Sequence, residues 1–352
     1  MRAIPPVTIT DARLLSSTVP EIASAPYNGA TTYALNVAAS VAGALGAITE
    51  YRSLQAANSG HSPATSPTWW QRVGDTYQVY SSGATYAVGE RVIDTVNHRV
   101  FESTGAGNLG NALTNTVYWF KVGATNRWAM FDLKTRQRTI SPIPITVVLS
   151  AGVRCDSFGL GHIRANAVDI AVSSTGTEVY SLAADLNTRE VSDAYDYCFK
   201  PFATKPAIVR FDMPPYTNAE ISITVTASEG NAEVGACSIG AHAYLGDVEY
   251  NADDDAKNYS TVERNFDGTV GEMIPRFSIP SGAMTLWVDK SAVNSIRNLR
   301  ADLNAVALFW SGIDDDSDGY FDALLKIGFY TQFKFNLDAP GKAQLTLAVE
   351  EV

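Results

Sequence analysis

The stretch "GATYAVGERVIDTVNHRVFESTGAGNLGNALTNTVYWFKVG", Gly83 to Gly123, decides how the first third of the chain folds. It is too short and too rich in glycine to build a large core. Yet Tyr86 stands near its start, and Tyr118-Trp119-Phe120 closes it. A segment of this size buries little apolar surface, so aromatic side chains must supply most of what holds it together.

An upstream stretch aligns with it. Between Gly29 and Gly74, Tyr33 matches Tyr86, Leu54 matches Phe101, and Trp69-Trp70-Gln-Arg-Val-Gly74 matches Tyr118-Trp119-Phe-Lys-Val-Gly123. The first copy carries an extra apolar insert around Ala42-Gly43-Ala44-Leu45-Gly46. Fixed-order landmarks of this kind read as an internal duplication. The two copies, 27–75 and 80–124, are expected to adopt one small three-stranded β fold pinned by aromatics. An exposed ring can stack on a sugar, and a buried one only builds the mini-core. Tyr33, Trp69, Trp70, Tyr86, Tyr118 and Trp119 are therefore the candidate glycan-facing or docking aromatics.

The 352-residue chain holds 46% hydrophobic and 18% charged residues, which suits a folded protein and argues against disorder. Its net charge of −11 and the lack of a Lys/Arg cluster exclude a phosphate-binding face, so no nucleic-acid partner is expected. Lys134-Thr-Arg136-Gln-Arg138 reads as the solvated face of one strand. No apolar run is long enough to cross a membrane, and "MRAIPPVTITDARLL" lacks the apolar centre of a secretory signal. Cys155, Cys198 and Cys237 are odd in number and far apart, which reads as reduced, buried thiols in a protein made in a cytoplasm.

Beyond Gly123 the period is that of strands. "AVDIAVSSTGTEVYSLAADL", "AIVRFDM", "AEISITVTAS" and "EVGACSIGAHAYLG" alternate apolar and polar residues between turn signals, which predicts a β-sandwich or jelly roll over 126–250. From Asn251 the pattern mixes. Val293, Ile296, Leu299 and Leu303 fall at helical spacing behind Ser291, an expected N-cap, and strands flank them. An α+β domain over 251–352 follows. Residues 1–26 have alternating apolar positions and no room for a core, so they read as an extended arm lying on a neighbouring molecule.

Chemistry is sparse. His61, His98, His162 and His242 are isolated from other metal-ligating residues, and neither a nucleophile elbow nor a phosphate loop occurs. "GLGHIRANA", Gly159 to Ala167, reads as a turn. "DDDSDG", Asp314 to Gly319, starts like a calcium loop, but its twelfth position is Leu325 where a bidentate Glu belongs, so it reads as a hydrated turn. No catalytic, cofactor-binding or metal-binding residues are assigned.

Two resemblances add to this reading. Tyr86, Gly89, Val92, Phe101 and Trp119 resemble the pattern of small chitin-binding-type carbohydrate modules. The second copy departs from it at Ala112-Leu113, where a proline is usual and the first copy has Pro63. Nearly the whole chain is similar to a family of tailed-bacteriophage virion proteins. The similarity is carried by "NRWAMFD" (Asn126 to Asp132), "FDGT", "LFWSGI" and "IGFYTQFKF" followed by "LTLAVEEV". It implies a structural part of a phage tail (tip, baseplate or adaptor), located in the virion and made in the host cytoplasm. The partners implied are other tail proteins and further copies of the chain. A carbohydrate-binding adhesin for host surface glycan stays open beside it, as does a glycan-processing enzyme carrying the repeats as targeting modules.

Overall fold

The computed structural model describes residues 1–189, 191–314, 319–337 and 340–352. The protein is mainly β, with short helices at Ala194–Phe199 and Phe321–Leu324 and a longer one at Val293–Asp302.

Alternation along Ile145–Ser150, Ala167–Ser174 and Ala219–Thr226 puts Ile145, Val147, Leu149, Val168, Ile170, Val172, Ile221, Ile223 and Val225 on one face, all buried. These strands are central in a five-stranded antiparallel sheet edged by Thr177–Asp185 and Leu14–Ser17. A three-stranded sheet of Ile208–Arg210, Ser157–Gly161 and Ala236–Gly240 packs Phe158, Leu160, Ile208 and Ile239 against that face. Each such side chain contributes about 1.5–3 kcal/mol when taken from water.

The three-stranded sheet is covered on both sides, and "GLG" explains how. The sequence predicts a turn here. The structure instead continues the strand to Gly161 and bends at His162, where φ is 50°. Large and small residues alternate, so Phe158 and Leu160 fill the sandwich core while Gly159 and Gly161 face the C-terminal layer. A Cβ at Gly159 would lie 2.8 Å from the Phe309 ring, and one at Gly161 would lie 2.0 Å from Ile327. The glycines serve close packing between layers, a role that turn chemistry does not reveal.

That C-terminal layer is an eight-stranded sheet in the order Ala243–Tyr244, Arg2–Ile4, Leu308–Ser311, Leu325–Asn336, Lys342–Glu351, Ser278–Asp289, Asp247–Val248, with Asp253–Asn258 also paired to Ser278–Asp289. Ile296 of the helix Val293–Asp302 is buried in its core with Met284, Leu286 and Leu347. The N-cap is Ala292, not the expected Ser291, and it makes no side-chain cap bond. The turn that closes Ala292 N–H onto Asp289 O at 2.9 Å moves the helix start one residue on.

The N-terminal segment corrects the sequence reading most. It was expected on a neighbour, and it lies within its own chain. Arg2–Ile4 fills a gap between Ala243–Tyr244 and Leu308–Ser311, and Leu14–Ser17 extends the sandwich. Ala3 and Ile4 are fully buried. A strand needs no core of its own when two sheets each leave an edge open to it. The cysteines are also corrected in part: Cys155 and Cys237 are buried, but Cys198 is exposed on Ala194–Phe199.

Candidate functional site

Both aromatic repeats belong to one six-stranded sheet, ordered Trp119–Ala124, Arg99–Ser103, Arg91–Asp94, Trp70–Val79, Ala47–Ser53, Ala38–Ala42. Each repeat supplies three antiparallel strands, and a short parallel pairing of Gln78 with Val92 and Val79 with Ile93 joins them. The apolar insert of the first copy makes the seam. Leu45 O accepts from Arg91 N and Gly46 O accepts from Gln78 N, each at 3.0 Å.

The two units repeat side chain by side chain. Tyr27, Tyr33 and Trp70 form a triad with ring centroids 5.0–5.8 Å apart. Tyr80, Tyr86 and Trp119 form the same triad at 5.2–6.1 Å. The Tyr33 hydroxyl accepts from Asn28 N and the Tyr86 hydroxyl from Ser81 N, both at 2.7 Å. The Trp70 and Trp119 indoles donate to His61 O and Asn111 O at 2.8 and 3.0 Å. Burial pushes the Tyr86 phenol above its ordinary value, and its hydroxyl donates to Ser81 O at 3.0 Å.

The sequence alignment slipped once and missed one pair. Register sets Ser53 opposite Trp70 and Ser103 opposite Trp119, so Tyr51, not Leu54, matches Phe101. Asn58 and Asn108 are fully buried, and each amide donates to the preceding serine and to the carbonyl of Trp69 or Tyr118. Left-handed residues fall at matching positions, Asn36 with Gly89 and Gly60 with Gly110. Asparagine is, after glycine, the residue that best tolerates this conformation.

The six candidate aromatics therefore divide. Tyr33, Trp70, Tyr86 and Trp119 are buried in the mini-cores. Trp69 is half-buried and stacks on His61 with centroids 3.9 Å apart. Tyr118 is 37% exposed, and Phe120, which the sequence reading did not single out, is 61% exposed. Phe120 follows the inward Trp119 on the strand Trp119–Ala124, so strand alternation turns it away from the mini-core, and Tyr118 ends the turn just before that strand.

"NRWAMFD" forms a clasp where the N-terminal segment, the second repeat and the sandwich meet. Glu21, 5% exposed, is its centre. Its Oε1 accepts from Thr125 Oγ1 at 2.8 Å and faces His98 Nδ1 at 2.9 Å, and its Oε2 accepts from Trp128 Nε1 at 3.0 Å. His98 stacks on Trp128 at 4.0 Å, and Arg127 Nε donates to Val19 O at 2.8 Å. Asn126 pairs with the backbone of Ile140 in both directions. Burial pushes the Asp132 carboxyl up against the pull of its bond from Lys134 N and of Arg99, whose Nη1 stands 3.7 Å away.

Two other groupings have the residue types of catalysis. Asp156, Ser157 and His242 meet, but Ser157 Oγ and Asp156 Oδ1 both face His242 Nδ1, at 2.8 and 2.9 Å. Nε2, where a nucleophile would stand, faces Arg2 Nη1 at 2.7 Å. The geometry is a strut for the first strand and does not match a nucleophilic triad. A cleft of about 580 Å³ is lined by His162, Asp254, Asp255, Asp322, Lys326 and Glu351 among others. Lys326 Nζ donates to Asp254 at 2.6 Å and His162 lies 3.6 Å from Glu351, so these four side chains are partnered within the cleft.

No group of His, Cys, Asp and Glu able to hold a metal ion occurs among the described residues. Most of the acidic loop read from Asp314 to Gly319 lies outside them, and Asp314 accepts from Arg2 Nε at 2.9 Å. No described helix is long and apolar enough to cross a membrane. Comparison with family models, with curated proteins and with solved structures finds no match to this chain.

Proposed function

We propose that the chain is a non-catalytic structural component of a phage tail, at the tip, the baseplate or an adaptor, that docks with other virion proteins. The observation that carries an assembly role is the pair of aromatic-rich segments that its own fold leaves uncovered. Around Ala194–Phe199, Tyr195, Tyr197, Phe199 and Phe202 are each about two-thirds exposed. In the hairpin between Asp253 and Asp289, Phe266 is fully exposed. Apolar surface of this extent is unusual on a protein that acts alone. The clasp and the strut favour the same reading, because buried polar side chains fix how the layers meet and build no reaction site. The resemblance through "NRWAMFD" supplies the tail as the setting. Reconstruction of intact particles by electron microscopy tests it: density for this chain in the tail is expected, and its absence from purified particles overturns the reading.

A second reading is an adhesin for host surface glycan. Tyr118 and Phe120 favour it, since both rings are exposed, and Trp69, the counterpart of Tyr118 in the first repeat, is half-buried. Retention on chitin or host lipopolysaccharide, lost in Trp69→Ala and Tyr118→Ala, is its expected signature.

A further inference from the structure

The hairpin between Asp253 and Asp289 has two halves. Its base, Asp253–Asn258 on Ser278–Asp289, belongs to the eight-stranded sheet. Its outer half, Thr261–Arg264 paired with Val270–Ile274, forms a two-stranded ribbon with no other strand beside it among the described residues. Every residue of both outer strands is exposed. A lone two-stranded ribbon is marginal in water.

Its faces differ. Val262 stands opposite Met273 and Arg264 opposite Val270, so these four share one face, with Phe266 at the tip. Glu263 stands opposite Glu272 on the other face, beside Thr261 and Ile274. Like charges directly across a ribbon destabilise it, and they require that face to stay in water. A face led by Val262, Val270 and Met273, a face led by Glu263 and Glu272, and two open edges make a surface that one partner can cover from one side.

We infer that the ribbon packs against the same ribbon of a second copy of this chain. The area argues for this occupant. Val262, Phe266, Val270 and Met273 together expose on the order of 450 Å² of apolar surface, within the range of the largest patch on a monomer. With the Arg264 stems, two such faces bury about 1,000 Å², the size that a specific interface should clear. A two-fold contact uses one self-complementary patch twice, and apolar face on apolar face leaves both Glu263–Glu272 pairs solvated. The inference rests on the assembly role proposed above and names the surface and the partner for it.

Sedimentation of the full chain provides the test. The wild type is expected to run as a dimer or a higher multiple, and Met273→Glu and Val262→Glu as monomers with an unchanged circular-dichroism spectrum. Val96→Glu, at an exposed position in the second repeat, serves as the control that leaves the oligomer intact. In a Cys198→Ser background, Val262→Cys is expected to form a disulfide-linked dimer on mild oxidation. A monomeric wild type, or an oligomer that survives both charge substitutions, overturns the proposal. Either result leaves the tail assignment standing on the reconstruction, so the two failures are distinguishable.

Discussion

Burial pushes the Cys155 thiol up to about 11, with Asp156 adding to the effect, and the Cys237 thiol up to about 12. Both stay protonated near neutral pH and are unreactive there, since the thiolate is the nucleophile. Titration with a disulfide reagent is therefore expected to find one reactive thiol in the folded protein, Cys198, and three after denaturation. Two or more fast thiols in the native state would contradict the burial described. Asp156 carries a second prediction. Burial alone raises its carboxyl, and bonds from the His242 backbone, Ser157 and the His242 ring outweigh that, so its net value lies below the usual range. Its stabilising contribution is present above the unfolded-state value of about 3.9. The contribution is lost as the pH falls from there through the lower folded-state value. Asp156→Asn is expected to be less stable than the wild type at neutral pH and to converge with it in strong acid, measured by denaturant unfolding across pH. A gap that persists undiminished into acid would assign the loss to packing instead.

Each repeat hangs on one indole. Trp70 and Trp119 are 2% exposed and each touches both tyrosines of its triad, so Trp70→Ala or Trp119→Ala removes the centre of a small core. Either is expected to cost about 3–5 kcal/mol and to unfold its own repeat first. Hydrogen exchange resolved by segment checks it, and equal loss of protection in both repeats would show that they unfold as one unit. The duplication was legible in the sequence because the aromatic landmarks are rare residues in fixed order. The strands of the sandwich were legible because one face is buried and the other wet, which writes period two into Ile145–Ser150 and Ala219–Thr226. Ser157–Gly161 was not legible: every residue is buried, so there is no alternation to read, and its glycines look like a turn. Among the candidate aromatics, ring chemistry marked the right strands, but which ring faces inward depends on register. The serine and asparagine pair Ser53–Asn58 and its copy escaped notice because polar residues in a loop look like solvent-facing ones.

The path of the whole chain could not be read locally, because strand partners hundreds of residues apart leave no local trace. Met1 donates from its amino group to Gly246 O at 2.5 Å, Arg2–Ile4 pairs with Leu308–Ser311, and Val352 O accepts from Thr135 Oγ1 at 2.6 Å. Removing residues 1–17 thus deletes a strand from each of two sheets and exposes the edges of Leu308–Ser311 and Ile145–Ser150. The truncated chain is expected to be insoluble or to lose cooperative unfolding, measured by thermal denaturation. A soluble truncation with the native melting point would show that both strands are dispensable. The same closure governs how the protein is made. Arg2–Ile4 lacks one of its two strand partners until the strand at 308–311 has followed it out of the exit tunnel. At roughly 5–20 residues per second the span between them takes on the order of 15–60 seconds, during which that side of Arg2–Ile4 stays open. A chain broken off before residue 308 lacks the strand that joins Arg2–Ile4 to the rest of its sheet, so such products are expected to be more open to proteolysis.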